Sequence, residues 1–114
     1  MKPRASKLES DLEGQLKVLN IGYEREFRFD SRRRWRCDFR LANCLLVECE
    51  GTTFYGNHLG RHQSAKGFDA DCEKYAEALC QGWRVLRVTA KHIKSGQAIA
   101  WIERAIALRR VMTP

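Results

Sequence analysis

The chain has 114 residues, enough for one small domain with a single modest core. Hydrophobic residues make up 44%, and no apolar run approaches the roughly 18 residues that a membrane helix needs, so a membrane-spanning protein is excluded as the expectation. The formal net charge of +7, from 21 Lys and Arg against 14 Asp and Glu, favours a polyanionic partner.

The first six residues, Met1-Lys-Pro-Arg-Ala-Ser6, are basic but lead into no apolar stretch. A secretory signal is therefore not expected, and an intracellular protein is. The five cysteines, Cys37, Cys44, Cys49, Cys72 and Cys80, are odd in number and form no C-x-x-C pair. They read as small reduced thiols rather than as a disulfide frame or a zinc ribbon.

In chain order, Leu8, Leu12, Leu16 and Leu19 recur at helical spacing and predict a helix over 7–20. Ser6 and Glu9 make a capping-box pattern at its start, and Asn20-Ile-Gly22 ends it. Residues 23–29 alternate, with Tyr23, Phe27 and Phe29 on one face of an expected strand. After the charged turn 30–34, residues 35–41 alternate again. Trp35, Cys37, Phe39 and Leu41 share one face, and Arg36, Asp38 and Arg40 the other. Ala42-Asn43 is a short turn, and 44–50 is an almost continuous apolar run of the kind found in central strands.

Residues 51–67, broken by four glycines, predict a loop. Loops of that length are often functional. A second helix is expected over 68–81, with Phe68, Cys72, Tyr75 or Ala76, and Leu79 as its apolar stripe. A strand follows over 83–89, with Trp83, Val85 and Arg87 on one face. The last helix spans 95–109, capped by Ser95. This order, α-β-β-β-α-β-α, implies an α/β (α+β) domain with a mixed sheet of about four strands. The fourth strand would run parallel to one of the first three.

Acidic residues stand out inside the apolar strands. Asp38 and Glu48 lie on the two arms of a hairpin, where they can be neighbours on one sheet face, and Glu48 and Glu50 share a face at i,i+2. Three carboxylates so placed repel one another unless a cation binds or protons are shared. Oxygen donors of this kind suit Mg²⁺ or Mn²⁺. The alternative is that these acids are solvated at strand ends or paired with Arg36 and Arg40. Arg32-Arg33-Arg34 precedes the acids, and Arg61-His62 and Lys66 follow them, so basic residues bracket the cluster in sequence. An acidic cluster on a basic body suggests phosphodiester hydrolysis. His58 and His62 stand four apart, but no third ligand at suitable spacing makes them a zinc site.

Five segments stand out together: Trp35-Arg-Cys-Asp38-Phe39, Val47-Glu48-Cys-Glu50-Gly51, Gly60-Arg61-His62, Gly67-Phe68-Asp69-Ala-Asp71-Cys-Glu73-Lys74, and Gly82-Trp83-Arg-Val-Leu-Arg87-Val-Thr89. In this order and spacing they resemble the PD-(D/E)XK nuclease superfamily, and most of all its very-short-patch-repair-like and small phage endonuclease branch. The resemblance covers residues 7–105, the core of a single domain taken as 1–114. It implies a restriction-endonuclease-like αβββαβ core with an extra C-terminal helix, and a Mg²⁺- or Mn²⁺-dependent endonuclease acting on DNA, with RNA left open. By that resemblance Asp38 and Glu48 bind metal, Glu50 takes part, and an acid on the first helix joins them. Glu13 is the first choice for that acid, with Glu9 and Asp11 nearby.

The chain departs from the family at Glu50, which stands where a lysine is usual. Relatives with an acid there imply a basic residue from the following helix, with Lys74 first, then Lys66 and His62. Arg33, Arg34, Arg36, Arg61, Lys66 and Arg87 would hold the nucleic-acid backbone. The departure also leaves a second expectation, a catalytically degenerate domain that binds nucleic acid or a protein partner. Sequence-specific cutting by so small a domain would call for a homodimer or a partner protein.

Overall fold

The computed structural model describes residues 7–51 and 65–109, with the backbone alone for Ala65 and Lys66. The elements are α1 (Lys7–Val18), β1 (Glu24–Arg28), β2 (Arg36–Leu41), β3 (Leu45–Cys49), α2 (Ala65–Cys80), β4 (Arg84–Val88), α3 (Ala90–Ser95) and α4 (Gln97–Ala107). The strands form one mixed sheet in the order β1-β2-β3-β4. β1–β2 and β2–β3 are antiparallel and β3–β4 is parallel, as the expected helical crossover requires. No described helix is long and apolar enough to cross a membrane.

The larger core lies on one sheet face. Leu12 and Leu16 of α1, Ile93 of α3 and Ala98 and Ile102 of α4 pack there on Phe39, Leu41, Leu45, Val47 and Val88. Each fully buried aliphatic side chain contributes about 1.5–3 kcal/mol. α1 ends where the Asn20 backbone turns left-handed, φ 60. The Ile21 N–H then reaches the Leu16 carbonyl (2.9 Å) and the Asn20 N–H reaches that of Lys17 (3.0 Å), a Schellman stop. Leu19, expected in the apolar stripe, follows the last helical residue, Val18, and is exposed.

The opposite face carries the smaller core of Phe29, Cys37, Leu46 and Ala78, with Phe27, Trp35, Trp83 and Val85 against it. The simple alternation read for β1 and β2 does not hold here. Tyr23 and Phe39 pack into the larger core, whereas Phe27 and Cys37 belong to the smaller one. Arg25 pairs with Phe39 and Phe27 with Cys37, so Glu26 stands opposite Asp38. Glu26 has φ 53, a left-handed conformation that breaks the pleat and lets the strand change the face it presents.

Two helices also differ from expectation. α2 starts at Ala65, because one glycine in a helix (Gly67) costs only about 1 kcal/mol. Its inward side is Lys74, Ala78 and Tyr75, the last of which the expected stripe included, while the other stripe residues Phe68, Cys72 and Leu79 are exposed. The single C-terminal helix is two. Thr89 starts α3, its N–H donating to His92 Nδ1 at 3.0 Å, and Gly96 at φ 86 ends it. Ser95 therefore closes α3 instead of capping the last helix, although its Oγ accepts the Gln97 N–H at 3.3 Å.

The β2–β3 turn ties the sheet to the end of α4. Asn43 and Cys44 are both left-handed, φ 63 and 57. The Asn43 amide donates to the carbonyls of Ala105 (3.2 Å) and Leu108 (2.8 Å). Arg84 donates to the carbonyls of Ala105 (2.8 Å) and Asn43 (2.9 Å). These bonds satisfy carbonyls that the end of α4 leaves without helical partners. Asn43→Gly keeps the left-handed turn and removes the side-chain bonds. It is expected to lower stability by about 1–3 kcal/mol in urea unfolding.

At the other end of the sheet, buried Asp30 accepts the Arg32 N–H (2.8 Å), the Arg33 N–H (3.0 Å) and the Gln81 amide (3.0 Å). The Arg32 N–H first, then those of Arg33 and Gln81, hold its carboxyl below the usual carboxylate range. A depressed folded pKa stabilises above the unfolded value and is lost as pH falls through the folded one. Asp30→Asn should lower the melting temperature at pH 7, and the deficit should shrink as pH falls below about 4.

Candidate functional site at the β2–β3 fork

β2 and β3 are paired from Leu41↔Leu45 to Phe39↔Val47 and part beyond it. At the parting, Asp38 Oδ2 accepts the Cys49 N–H at 2.7 Å. A side-chain carboxylate thus takes the place a strand carbonyl would fill. Glu50 continues on the far side, its N–H donating to the Val88 carbonyl at 2.7 Å. Asp38 is the hinge of the fork, and the other acids distribute to its two sides.

Toward α1, carboxylate oxygens of Glu9, Glu26 and Asp38 all lie within 4.8 Å of one another. Glu9 is buried, in the first turn of α1. Arg25 serves this group, with Nη2 2.6 Å from Glu9 and 3.9 Å from Glu26, and Nη1 2.8 Å from Glu13. Its guanidinium lies 4.8 Å from the centre of the Phe39 ring. Glu13 also accepts the Tyr23 hydroxyl. That bond, ahead of the Arg25 charge, holds the Glu13 carboxyl below its ordinary value.

Toward α2, Lys74 Nζ donates to Glu48 Oε2 and to the Arg36 carbonyl, both at 2.7 Å. Burial pushes the Glu48 carboxyl up, opposed by Lys74 and aided by the Asp38 charge. Burial, with the Glu48 charge behind it, also pushes the Cys37 thiol up, and the Cys49 thiol is pushed up to about 12. Neither is a ready nucleophile at neutral pH. Glu50 accepts Arg87 Nε at 2.8 Å, and Arg87 rests on the Tyr75 ring at 4.8 Å.

Asp38, Glu48 and Glu50 therefore meet at one fork but face different partners, and the three-acid group is Asp38 with Glu9 and Glu26. Glu13 stands one helical turn from Glu9, bound to Tyr23 and Arg25. Glu26 was not singled out in the sequence. A hairpin centred on Arg32 puts residue 26 opposite residue 38, and that symmetry was the available signal. Arg33 lies on the Trp35 ring and 3.4 Å from Asp30. Arg34 and Arg36 are exposed. Arg61, His62 and the Lys66 side chain lie outside the described residues. The donor set of the triad is all carboxylate oxygen, the chemistry that fits a hard divalent cation such as Mg²⁺ or Mn²⁺.

A solved structure resembles this arrangement of elements. The catalytic domain of the homing endonuclease I-Bth0305I superposes with a TM-score of 0.66 at 19% identity, over 89% of this chain and 94% of that one. The chain shares the fold of an endonuclease catalytic domain. No family model matches the sequence, and no curated protein does.

The Glu48–Lys74 pair is almost enclosed, with side-chain exposures of 10% and 16%. Removing one partner of such a pair costs about 3–5 kcal/mol, whereas removing both can be nearly neutral. Lys74→Met should therefore destabilise strongly in denaturant titration, and Lys74→Met with Glu48→Gln should recover most of the loss.

Proposed function

We propose that the protein is a metal-dependent endonuclease that hydrolyses DNA phosphodiester bonds, in one domain of the PD-(D/E)XK superfamily and its very-short-patch-repair-like branch. The observation that carries this reading is Asp38 at the strand fork, within 4.8 Å of two further carboxylates, on a chain of net charge +7. The shared endonuclease fold supports it.

Asp38, Glu9 and Glu26 would hold the cation. Bound Mg²⁺ or Mn²⁺ supplies a water of lowered pKa and offsets negative charge building on the phosphate. Arg25 holds Glu9 in place and lies beside Glu26, and the Cys49 N–H fixes the Asp38 carboxylate. On the other side of the fork Glu48 holds Lys74, the first candidate for moving a proton, with Lys66 and His62 behind it. Glu48 and Glu50 complete the acidic surround, and Glu13 backs Glu9 through Arg25. Arg33, Arg34, Arg36, Arg61, Lys66 and Arg87 would contact phosphates, which makes binding fall steeply with salt.

One observation favours a second reading, a catalytically silent DNA-binding domain. Glu50 occupies the family's lysine position and is taken up by Arg87. Cleavage of labelled single-stranded, duplex, nicked, flapped and four-way DNA with Mg²⁺ or Mn²⁺ separates the two. The nuclease reading expects cutting that EDTA abolishes and that Asp38→Asn lowers at least ~100-fold, a loss typical of removing a key electrostatic group. An Asp38→Asn protein that cuts as fast as the parent overturns it. DNA bound but uncut in every arm selects the silent domain.

A further inference from the structure

Arginines lie on aromatic rings across the α2 side of the sheet. Arg33 is 4.6 Å from the centre of the Trp35 ring, Arg87 is 4.8 Å from that of Tyr75, and Arg40 is 5.2 Å from Phe27 and 6.0 Å from Trp83. A guanidinium beside a ring is attracted to its face and keeps N–H donors for an anion. A groove of about 770 Å³ opens beside the Arg40 group, larger than the one of about 600 Å³ that Arg87 lines. Trp83, Tyr23, Glu24, Arg40 and Asn43 line the larger groove. Its volume lies within the range of small-ligand sites. The Arg40–Glu24 ion pair across it, 3.0 Å long, is exposed at 45% and 56%. Such a pair contributes little and yields readily to a ligand.

We propose that this groove binds one unpaired nucleotide of a single-stranded DNA segment. This rests on the DNA reading above and adds which form of DNA is gripped, and where. The base lies against Trp83, the Arg40 fork takes the adjoining phosphate, and the Glu24 carboxylate accepts an amino N–H of the base. Each part matches a group in the groove: a ring for the base, a fixed guanidinium for the phosphate, and an acceptor that favours cytosine over thymine. A duplex cannot use the ring, because its bases are stacked on one another. Arg40 is two residues from Asp38 along β2, about 7 Å by strand rise.

The test is fluorescence anisotropy in EDTA, where no cleavage is read, with a labelled ten-nucleotide dC strand, a dT strand, an abasic strand of equal length and a hairpin duplex. The dC strand should bind at least about tenfold tighter than the abasic strand, by the usual strength of base stacking. Arg40→Gln and Trp83→Leu should each weaken dC binding at least about fivefold. Glu24→Gln should abolish the preference for dC over dT. Trp83 also packs on Phe27, so circular dichroism checks the Trp83 variant, and if it unfolds the abasic strand and Arg40→Gln decide. Equal binding of dC, abasic and duplex DNA, unmoved by Arg40→Gln, overturns the groove assignment and leaves the nuclease reading standing. Base-selective binding with no metal-dependent cutting keeps the groove and removes the nuclease.

Discussion

Asp38 accepts the Cys49 N–H where β2 and β3 part, and the layout of both sides of the sheet depends on that bond. Sheet ladders satisfy their own backbone groups, so two paired strands separate only where another acceptor is at hand. The Asp38 carboxylate is that acceptor, and it is thereby fixed at the mouth of the fork. Opposite it, the left-handed backbone of Glu26 lets β1 follow the change. Phe39 and Cys37 consequently serve different cores, and α1 and α2 each bring polar side chains to the same opening from opposite faces.

Several carboxylates close together must be compensated, and the structure does this with one cation for each group. Arg25 serves Glu9 and Glu13, Lys74 serves Glu48, and Arg87 serves Glu50. The three pairings differ in enclosure. The Glu48–Lys74 pair is nearly closed off from water, whereas Arg87 and Glu50 are exposed at 47% and 35%. Screening makes the outer pair weak and exchangeable, while the inner pair is screened much less. A fork of this kind combines a rigid interior with an adaptable rim. That combination would suit the proposed role of holding a divalent cation and admitting DNA.

The smaller core explains why one sheet face keeps so much aromatic surface near water. Ala78 is the buried residue that α2 contributes to it, and Phe27, Trp35 and Trp83 stay half-buried at its border. Arginines cover part of that surface, so large rings remain soluble without being enclosed. The same arrangement leaves apolar ring and guanidinium edge side by side, which is what a nucleotide offers in reverse as base and phosphate.

The sequence by itself determined the four strands, the first two helices, their order, and the parallel return of β4, because hydrophobic period and chain connectivity are local properties; the break between α3 and α4 escaped it. It also marked Asp38, Glu48 and Glu50, since charges inside apolar strands are conspicuous whatever the fold. The tertiary structure alone decided how those acids group. Whether Asp38 faces Glu48 or joins Glu9 and Glu26 turns on one left-handed residue and one carboxylate-to-backbone bond. Neither leaves a trace in residue periodicity. The inward side of α2 was decided in the same way. Lys74 and Tyr75 face the sheet while Phe68 and Leu79 do not, because the acids waiting on β3 and the cation beside them set which side of the helix meets the sheet.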